Sequence, residues 1–220
     1  MTTHLTESIY GESRGPKRSR TVEWCDPGPS TAQGMSMAGI DYLQAMMDHQ
    51  LPPPPIAGLM QIDMIALEPG RVTMSCTPDE SMYNATGTIH GGVVCTLLDT
   101  VVGCALLSTL PEGKGLTSVE IKVNYLKAIH PSGGLLSATG TVVKAGSRVG
   151  FAEGVVTNAN GAVVATASST LLISDFLDNR QSTGCWMTGA PVEPPKSWPG
   201  FVRSHGTAPL PGWLHRSGGK

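Results

Sequence analysis

A single carboxylate, Asp99, lies in a run from His90 to Ser108 that is otherwise apolar or small. The run is long enough for a helix, and its apolar residues fall on every side, which predicts a helix buried all round. A buried carboxylate is costly unless it is paired or hydrogen-bonded, and aspartate is a poor helix former. Asp99 is therefore a candidate for acid–base or nucleophilic chemistry.

Two glycines, Gly91 and Gly92, stand at the predicted start of this helix. The first turn of a helix offers unpaired backbone N–H groups and the positive end of the helix dipole. Without side chains, the glycines would let a reacting carbonyl approach closely. A helix entry that simply needs glycine is an equally good interpretation at this point.

The elements around this helix follow from local patterns. Apolar spacing predicts a helix over 36–49 with Ser36 as its N-cap, followed by a stiff spacer at Pro52–Pro55. Alternation predicts strands over 59–67, 71–76, 117–125, 135–143, 148–157 and 162–173, and Pro69-Gly70 and Asn160-Gly161 predict the turns between the first two and between the last two.

The strand over 117–125 alternates clearly. Thr117, Val119, Ile121, Val123 and Tyr125 are predicted on one side, and Ser118, Glu120, Lys122 and Asn124 on the other. Short turns between consecutive strands favour an antiparallel sheet with helix on one face. An all-apolar helix needs more cover than one sheet face supplies, and the simplest source is a second copy of the chain.

Composition limits the function classes. The 220 residues carry a formal net charge of -2 and no large basic cluster, which argues against nucleic acid as the main partner. No apolar stretch is long enough to span a membrane. The N-terminal residues contain no apolar run typical of a secretory signal, so we expect a cytoplasmic location. The five cysteines are scattered, and we expect reduced thiols.

Domain organisation follows the same shifts in composition. We expect a flexible N-terminal arm over 1–34, a leader helix and Pro-rich spacer over 35–55, the main domain over 56–175, and a tail rich in Gly and Pro over 176–220.

Three segments together resemble a known family. The segment from Asn84 to Gly92, the Leu97-Leu98-Asp99 triplet and the segment from Val123 to Lys127 resemble hotdog-fold acyl-CoA thioesterases of the phenylacetate-degradation (PaaI-like) type. The resemblance implies an α+β hotdog fold, in which a curved antiparallel sheet wraps a central helix. It also implies dimers or tetramers, and an acyl-CoA substrate hydrolysed by water without a cofactor or metal.

The resemblance gives the candidate residues their roles. Asp99 would be the general base or the nucleophile, and the Gly91 N–H the main oxyanion donor, with Gly92 as a weaker candidate. Asn84 would orient water or the thioester, although a turn-forming asparagine is about as plausible.

Three further sets of assignments have simpler alternatives. His90 would orient the thioester or cap and brace the loop. Ser118 would hold water near Asp99, or be an ordinary strand hydroxyl. Asp99 itself could be a buried carboxylate held by Thr96, Thr100 or Ser118.

The cations Lys127, Lys144 and Arg148 are candidates for binding the CoA phosphates, because arginine suits bidentate phosphate contacts.

Spacing adds a geometric argument. Gly91 and Asp99 are eight residues apart, or roughly 12 Å along a helix at ~1.5 Å per residue. One helix cannot easily place both on the same carbonyl, whereas two antiparallel helices across a two-fold can. We therefore expect catalytic sites at a dimer interface. A non-catalytic acyl-CoA-binding or regulatory protein and a dehydratase are the alternatives, and the acyl group is left open.

Overall fold

The computed structural model describes residues 16–175. The predicted tail over 176–220, the start of the predicted arm and Cys185 lie outside the described residues. The helices are α1 (Pro27–Gly34), α2 (Gly39–Met47), α3 (Pro55–Met60) and α4 (Gly91–Leu107). The strands are β1 (Ile62–Glu68), β2 (Arg71–Cys76), β3 (Lys114–Tyr125), β4 (Leu136–Ala145), β5 (Val149–Thr157) and β6 (Val163–Asp175).

The six strands form one antiparallel sheet in the order β1-β2-β4-β5-β6-β3. Its hairpins have the turn residues that the sequence predicts. Gly70 joins β1 to β2 and Gly161 joins β5 to β6, both with positive φ, which glycine adopts without strain. The predicted antiparallel sheet with a central helix is confirmed.

Helix α4 lies against the sheet and supplies much of the core. Leu97, Leu98, Val101 and Leu106 are fully buried there. Close packing depends on two glycines paired across β4 and β5, Gly140 and Gly154. A Cβ at Gly140 would clash with the Val101 carbonyl oxygen, so only glycine lets the helix backbone approach the sheet this closely.

The prediction that α4 is buried all round is wrong for the single chain. A stripe along the helix stays partly exposed: Gly91, Gly92, Cys95, Thr96, Asp99, Thr100, Gly103, Cys104 and Leu107. The sheet covers only one side of a helix, and the helix's apolar residues continue past that side. Asp99 lies on the uncovered side.

The N-terminal part differs most from the expectations. Residues 59–67 were expected to form one strand, but Leu59 and Met60 end α3, and β1 begins at Ile62. Pro55 is the first residue of α3, where proline is favoured because its missing N–H is not needed. Helix α1 lies within residues 1–34, where composition predicts a flexible arm, and that prediction is wrong for Pro27–Gly34.

The leader helix is confirmed, but its N-cap is not Ser36. Helix α2 begins at Gly39 after Ala38, which makes no side-chain cap, and the Ser36 hydroxyl donates instead to the Gln33 carbonyl at the end of α1. Glycine is needed at residue 39 because a Cβ there would clash with the Leu107 carbonyl at the end of α4.

Among residues 16–175, no helix has both the length and the apolar character needed to cross a membrane. Cys25, Cys76, Cys95 and Cys104 are free thiols.

Candidate active site

Asp99 lies at the middle of α4, and its carboxylate is held by β3. The Ser118 hydroxyl donates to Asp99 Oδ1 at 2.7 Å. The two threonines that were alternative partners are engaged elsewhere, since Thr96 and Thr100 donate to the carbonyls of Gly92 and Thr96 on their own helix. Of the three hydroxyls considered, the structure places Ser118 on Asp99.

Ser118 reaches Asp99 because β3 carries a bulge. The register of β3 with β6 shifts between Ser118 and Glu120, which leaves Val119 as an extra residue that is 64% exposed. Ser118 before the bulge and Ile121 after it therefore both face α4. The strict alternation predicted for this strand placed them on opposite sides, and that prediction is wrong.

The start of α4 is capped by His90. Its Nδ1 accepts a hydrogen bond from the Gly92 N–H at 2.9 Å, so the bracing alternative is what the geometry shows for this imidazole. The Gly92 N–H is consequently occupied. The Gly91 N–H, in contrast, has no acceptor within the described part of the chain. Of the two candidate donors, Gly91 is the one left available to a ligand.

Tyr125 fixes the same turn from the other side. Its hydroxyl donates to the Gly91 carbonyl at 3.0 Å, and a Cβ on Gly91 would lie 3.2 Å from Tyr125 Cζ. Burial raises the pKa of this phenol, with a smaller effect from Cys95, so the hydroxyl keeps its proton. The sequence predicts Tyr125 only as a residue on one strand face and does not reveal this contact, because nothing local connects residues 34 positions apart.

Asn84 organises its own loop. Its Oδ1 accepts from the backbone N–H groups of Thr86 and Thr88 and from the Thr86 hydroxyl, and its Nδ2 donates to the Thr88 hydroxyl. The turn-forming alternative accounts for these bonds. The loop pairs back through Tyr83 and Ile89 and delivers the chain to His90.

The candidate cations do not lie together in one chain. Lys144 is in register with Phe151, Thr170 and Glu120 across the sheet. Lys127 follows β3 seven residues beyond Glu120, roughly 20 Å further along at ~3.3 Å per residue. Arg148 lies in the turn between β4 and β5, at the Lys144 end of the sheet. All three are exposed.

An open groove of about 510 Å³ runs between α4 and β3 and includes Asp99. It is lined by Gly92, Cys95, Thr96, Asp99, Ser118, Val119, Glu120 and Ile121. Five residues after Asp99 on α4, desolvation and then the Asp99 charge raise the pKa of Cys104 to about 12, so this thiol is not a nucleophile at neutral pH. No cluster of three or more His, Cys, Asp or Glu among residues 16–175 is placed to hold a metal ion.

These features lie at two separate places on one helix. At its N-terminus an available N–H stands at the positive end of the dipole, which suits developing negative charge. At its middle a half-buried carboxylate with a hydroxyl partner faces an open groove. The pair suits addition of water to a carbonyl, provided that both reach the same carbonyl.

The sequence of this chain is similar to those of known thioesterases and esterases. The model of the thioesterase superfamily matches residues 86–165, which include Gly91, Asp99 and Ser118. Human acyl-coenzyme A thioesterase 13 is 32% identical over 113 residues, which cover 51% of this chain and 79% of the human protein. A protein of Halobacterium salinarum named as an esterase is 42% identical over 79 residues, which cover 34% of this chain and 50% of that protein.

A solved structure shows the same fold. The E. coli PaaI protein from the phenylacetic acid degradation operon superposes with a TM-score of 0.54 at 22% identity, over 62% of this chain and 95% of that one. The resemblance stated from the motifs around Gly91 and Asp99 is confirmed. The chain belongs to the thioesterase superfamily, with the hotdog fold and thioester hydrolysis as its class of chemistry.

Proposed function

We propose that this chain hydrolyses acyl-CoA thioesters, with the Gly91 N–H of one copy and Asp99 of a second copy acting on the same carbonyl. The observation that carries the proposal is the unequal use of the first two amides of α4. The Gly92 N–H is taken by His90, whereas the Gly91 N–H is available at the positive end of the helix. The name of the human relative supports CoA as the carrier.

In the proposed reaction, water adds to the thioester carbonyl while Asp99 removes its proton. The carbonyl oxygen becomes an oxyanion and accepts from the Gly91 N–H. Collapse of the intermediate breaks the C–S bond, and the CoA sulfur leaves with the proton that Asp99 holds. Direct attack by the Asp99 carboxylate, followed by hydrolysis of the anhydride, gives the same products.

The neighbouring residues have supporting roles in this proposal. Ser118 holds the carboxylate in one orientation through its 2.7 Å hydrogen bond. His90 and Tyr125 fix the turn that carries the oxyanion donor. Asn84 shapes the loop that leads into that turn.

Two copies are needed because Gly91 and Asp99 lie about 12 Å apart along α4, at ~1.5 Å per residue. The partly exposed stripe of α4 is available for a second copy to cover. Two copies would also allow Lys127 from one and Lys144 with Arg148 from the other to bind one CoA, although these cations lie apart in a single chain.

The proposal is tested by thiol release from a panel of acyl-CoAs with the wild type, Asp99→Asn and the control Asp63→Asn. We expect Asp99→Asn to keep the fold and lose about 10²-fold or more of kcat, the contribution typical of a general base. Asp63, exposed on β1, should be replaceable without loss. Full turnover by Asp99→Asn would reject the role of the carboxylate, and binding without turnover in the wild type would favour a non-catalytic acyl-CoA binder.

A further inference from the structure

A second groove, of about 590 Å³, is lined in part by His90 and Val93 at the start of α4 and does not include Asp99. Six of its lining residues are apolar: Val22, Leu59, Met60, Met82, Tyr83 and Val93. The polar ones are Arg20, Ser81 and His90. Its volume and its mostly apolar lining are those of a small-molecule site.

One wall of this groove is the N-terminal segment, residues 18–23, which salt bridges fasten to the main domain. Arg18 donates to both carboxylate oxygens of Glu80 at 2.7 and 2.8 Å. Arg20 bonds Asp79 at 2.7 Å and also the Leu59 carbonyl at 2.7 Å, and so links the turn after β2 to α3. The segment is thereby attached on both sides of the groove.

The segment also packs tightly by its backbone. A Cβ on Gly58 of α3 would lie 3.0 Å from the Glu23 carbonyl oxygen. Glycine at this position therefore allows the segment to lie directly on α3.

The charges in the groove are matched. Hydrogen bonds from Ser81 chiefly, and then the contact with Arg20, lower the pKa of Asp79 to about 2, so its carboxylate balances the guanidinium throughout the neutral range. The Nδ1 of His90 accepts from the Gly92 N–H. The groove thus offers an apolar surface without a free charge, which suits an uncharged acyl chain and disfavours one that ends in a carboxylate.

We propose that this groove holds the acyl part of the substrate and that the N-terminal segment limits its length. This inference rests on the proposed function, because it places the thioester carbonyl at the Gly91 N–H, one residue from His90, which lines the groove. Most of the lining lies outside residues 86–165, the span matched by the family model. Acyl selectivity is then set by parts of this chain that the family's shared region does not include.

The test compares Leu59→Trp, which fills the groove, with Ile65→Trp, which adds the same bulk at an exposed position on β1. We measure kcat/KM for acetyl-, octanoyl- and palmitoyl-CoA. Leu59→Trp should leave kcat/KM for acetyl-CoA within about twofold. It should lower kcat/KM for octanoyl- and palmitoyl-CoA by about tenfold or more, an effect in the range found for apolar groups that fit a pocket poorly. Ile65→Trp should change none of the three.

Arg20→Ala provides an opposite change without altering the core. Releasing the segment should raise kcat/KM for palmitoyl-CoA relative to that for acetyl-CoA. Lys17 is an exposed residue nearby in sequence, and Lys17→Ala should not change this ratio. An equal loss on all three substrates in Leu59→Trp would show that the groove holds the CoA part. An unchanged profile in both Leu59→Trp and Arg20→Ala would reject a role for the groove.

A binding measurement separates this inference from the proposed reaction. In the Asp99→Asn background, calorimetry gives the Kd of octanoyl-CoA and of CoA. Octanoyl-CoA should bind more tightly, and Leu59→Trp should remove that difference. If the wild type shows no turnover, the proposed function fails, while the difference in Kd still decides whether the groove binds an acyl chain.

Discussion

Asp99 and Gly91 show how far single residues can be interpreted from sequence. An acid in an apolar helix and a glycine at its start are both visible in the printed chain, and both lie where the candidate site is. The partner of Asp99 could be narrowed only to three hydroxyls. Thr96 and Thr100 donate to carbonyls of their own helix, and Ser118 faces Asp99 across a β3 bulge that the sequence does not reveal. Tyr125 could not be predicted, since its contact with Gly91 depends on the packing of β3 beside α4.

The role of the Gly91 N–H can be tested by removing that single hydrogen. Gly91→Pro deletes the donor at the first position of α4, where proline fits, and His90 already has the extended backbone, φ −63 and ψ 136, that proline requires before it. We expect kcat to fall about 10²–10³-fold, the loss typical of an oxyanion donor, in steady-state thiol-release assays.

Gly91→Ala is the matched control for that change. It introduces the same Cβ, which lies 3.2 Å from Tyr125 Cζ, but keeps the N–H. Its kcat should exceed that of Gly91→Pro by most of this factor. Equal rates in the two variants would attribute the loss to crowding against Tyr125 and would reject Gly91 as the donor.

At the scale of elements, turn residues predicted the hairpins correctly, whereas short apolar runs were a poor guide to whether a segment is helix or strand. The dipeptides Pro69-Gly70 and Asn160-Gly161 predict hairpin turns, and both glycines have the positive φ that glycine adopts without strain. The run from Leu59 was taken into a strand because a few apolar residues fit a strand or a helix equally, and only packing on the sheet separates α3 from β1. The nesting of α4 on Gly140 was not predictable, because it depends on which strands become neighbours.

The stability of α4 should depend on the cap at its first turn. His90→Ala removes the acceptor for the Gly92 N–H, and loss of such a cap costs about 1 kcal/mol. Urea unfolding at a fixed protein concentration should show this decrease in the free energy of unfolding. His90→Asn keeps an acceptor and should retain most of it, so equal stability of the wild type and His90→Ala would argue against the cap.

At the scale of the whole molecule, a single chain keeps the two proposed catalytic groups apart. The proposed donor at Gly91 and the Asp99 carboxylate lie about 12 Å apart along one helix at ~1.5 Å per residue, and Asp99 faces the side of α4 that the sheet leaves uncovered. A two-fold arrangement of antiparallel α4 helices would bring each donor to the other copy's carboxylate. The same arrangement would cover the partly exposed stripe.

Mixed dimers test this arrangement directly. Asp99→Asn and Gly91→Pro chains should each be nearly inactive alone. Mixed in equal amounts and allowed to exchange, half of the dimers contain one chain of each kind. Each such dimer has one site with both groups intact and one with neither, so about a quarter of the wild-type activity should return. Thiol release measured before and after exchange, with separate tags to isolate the mixed species, gives this fraction.

If both groups of a site came from one chain, every site in the mixture would lack one of them. No activity would then return, even when mixed dimers are recovered in the expected amount.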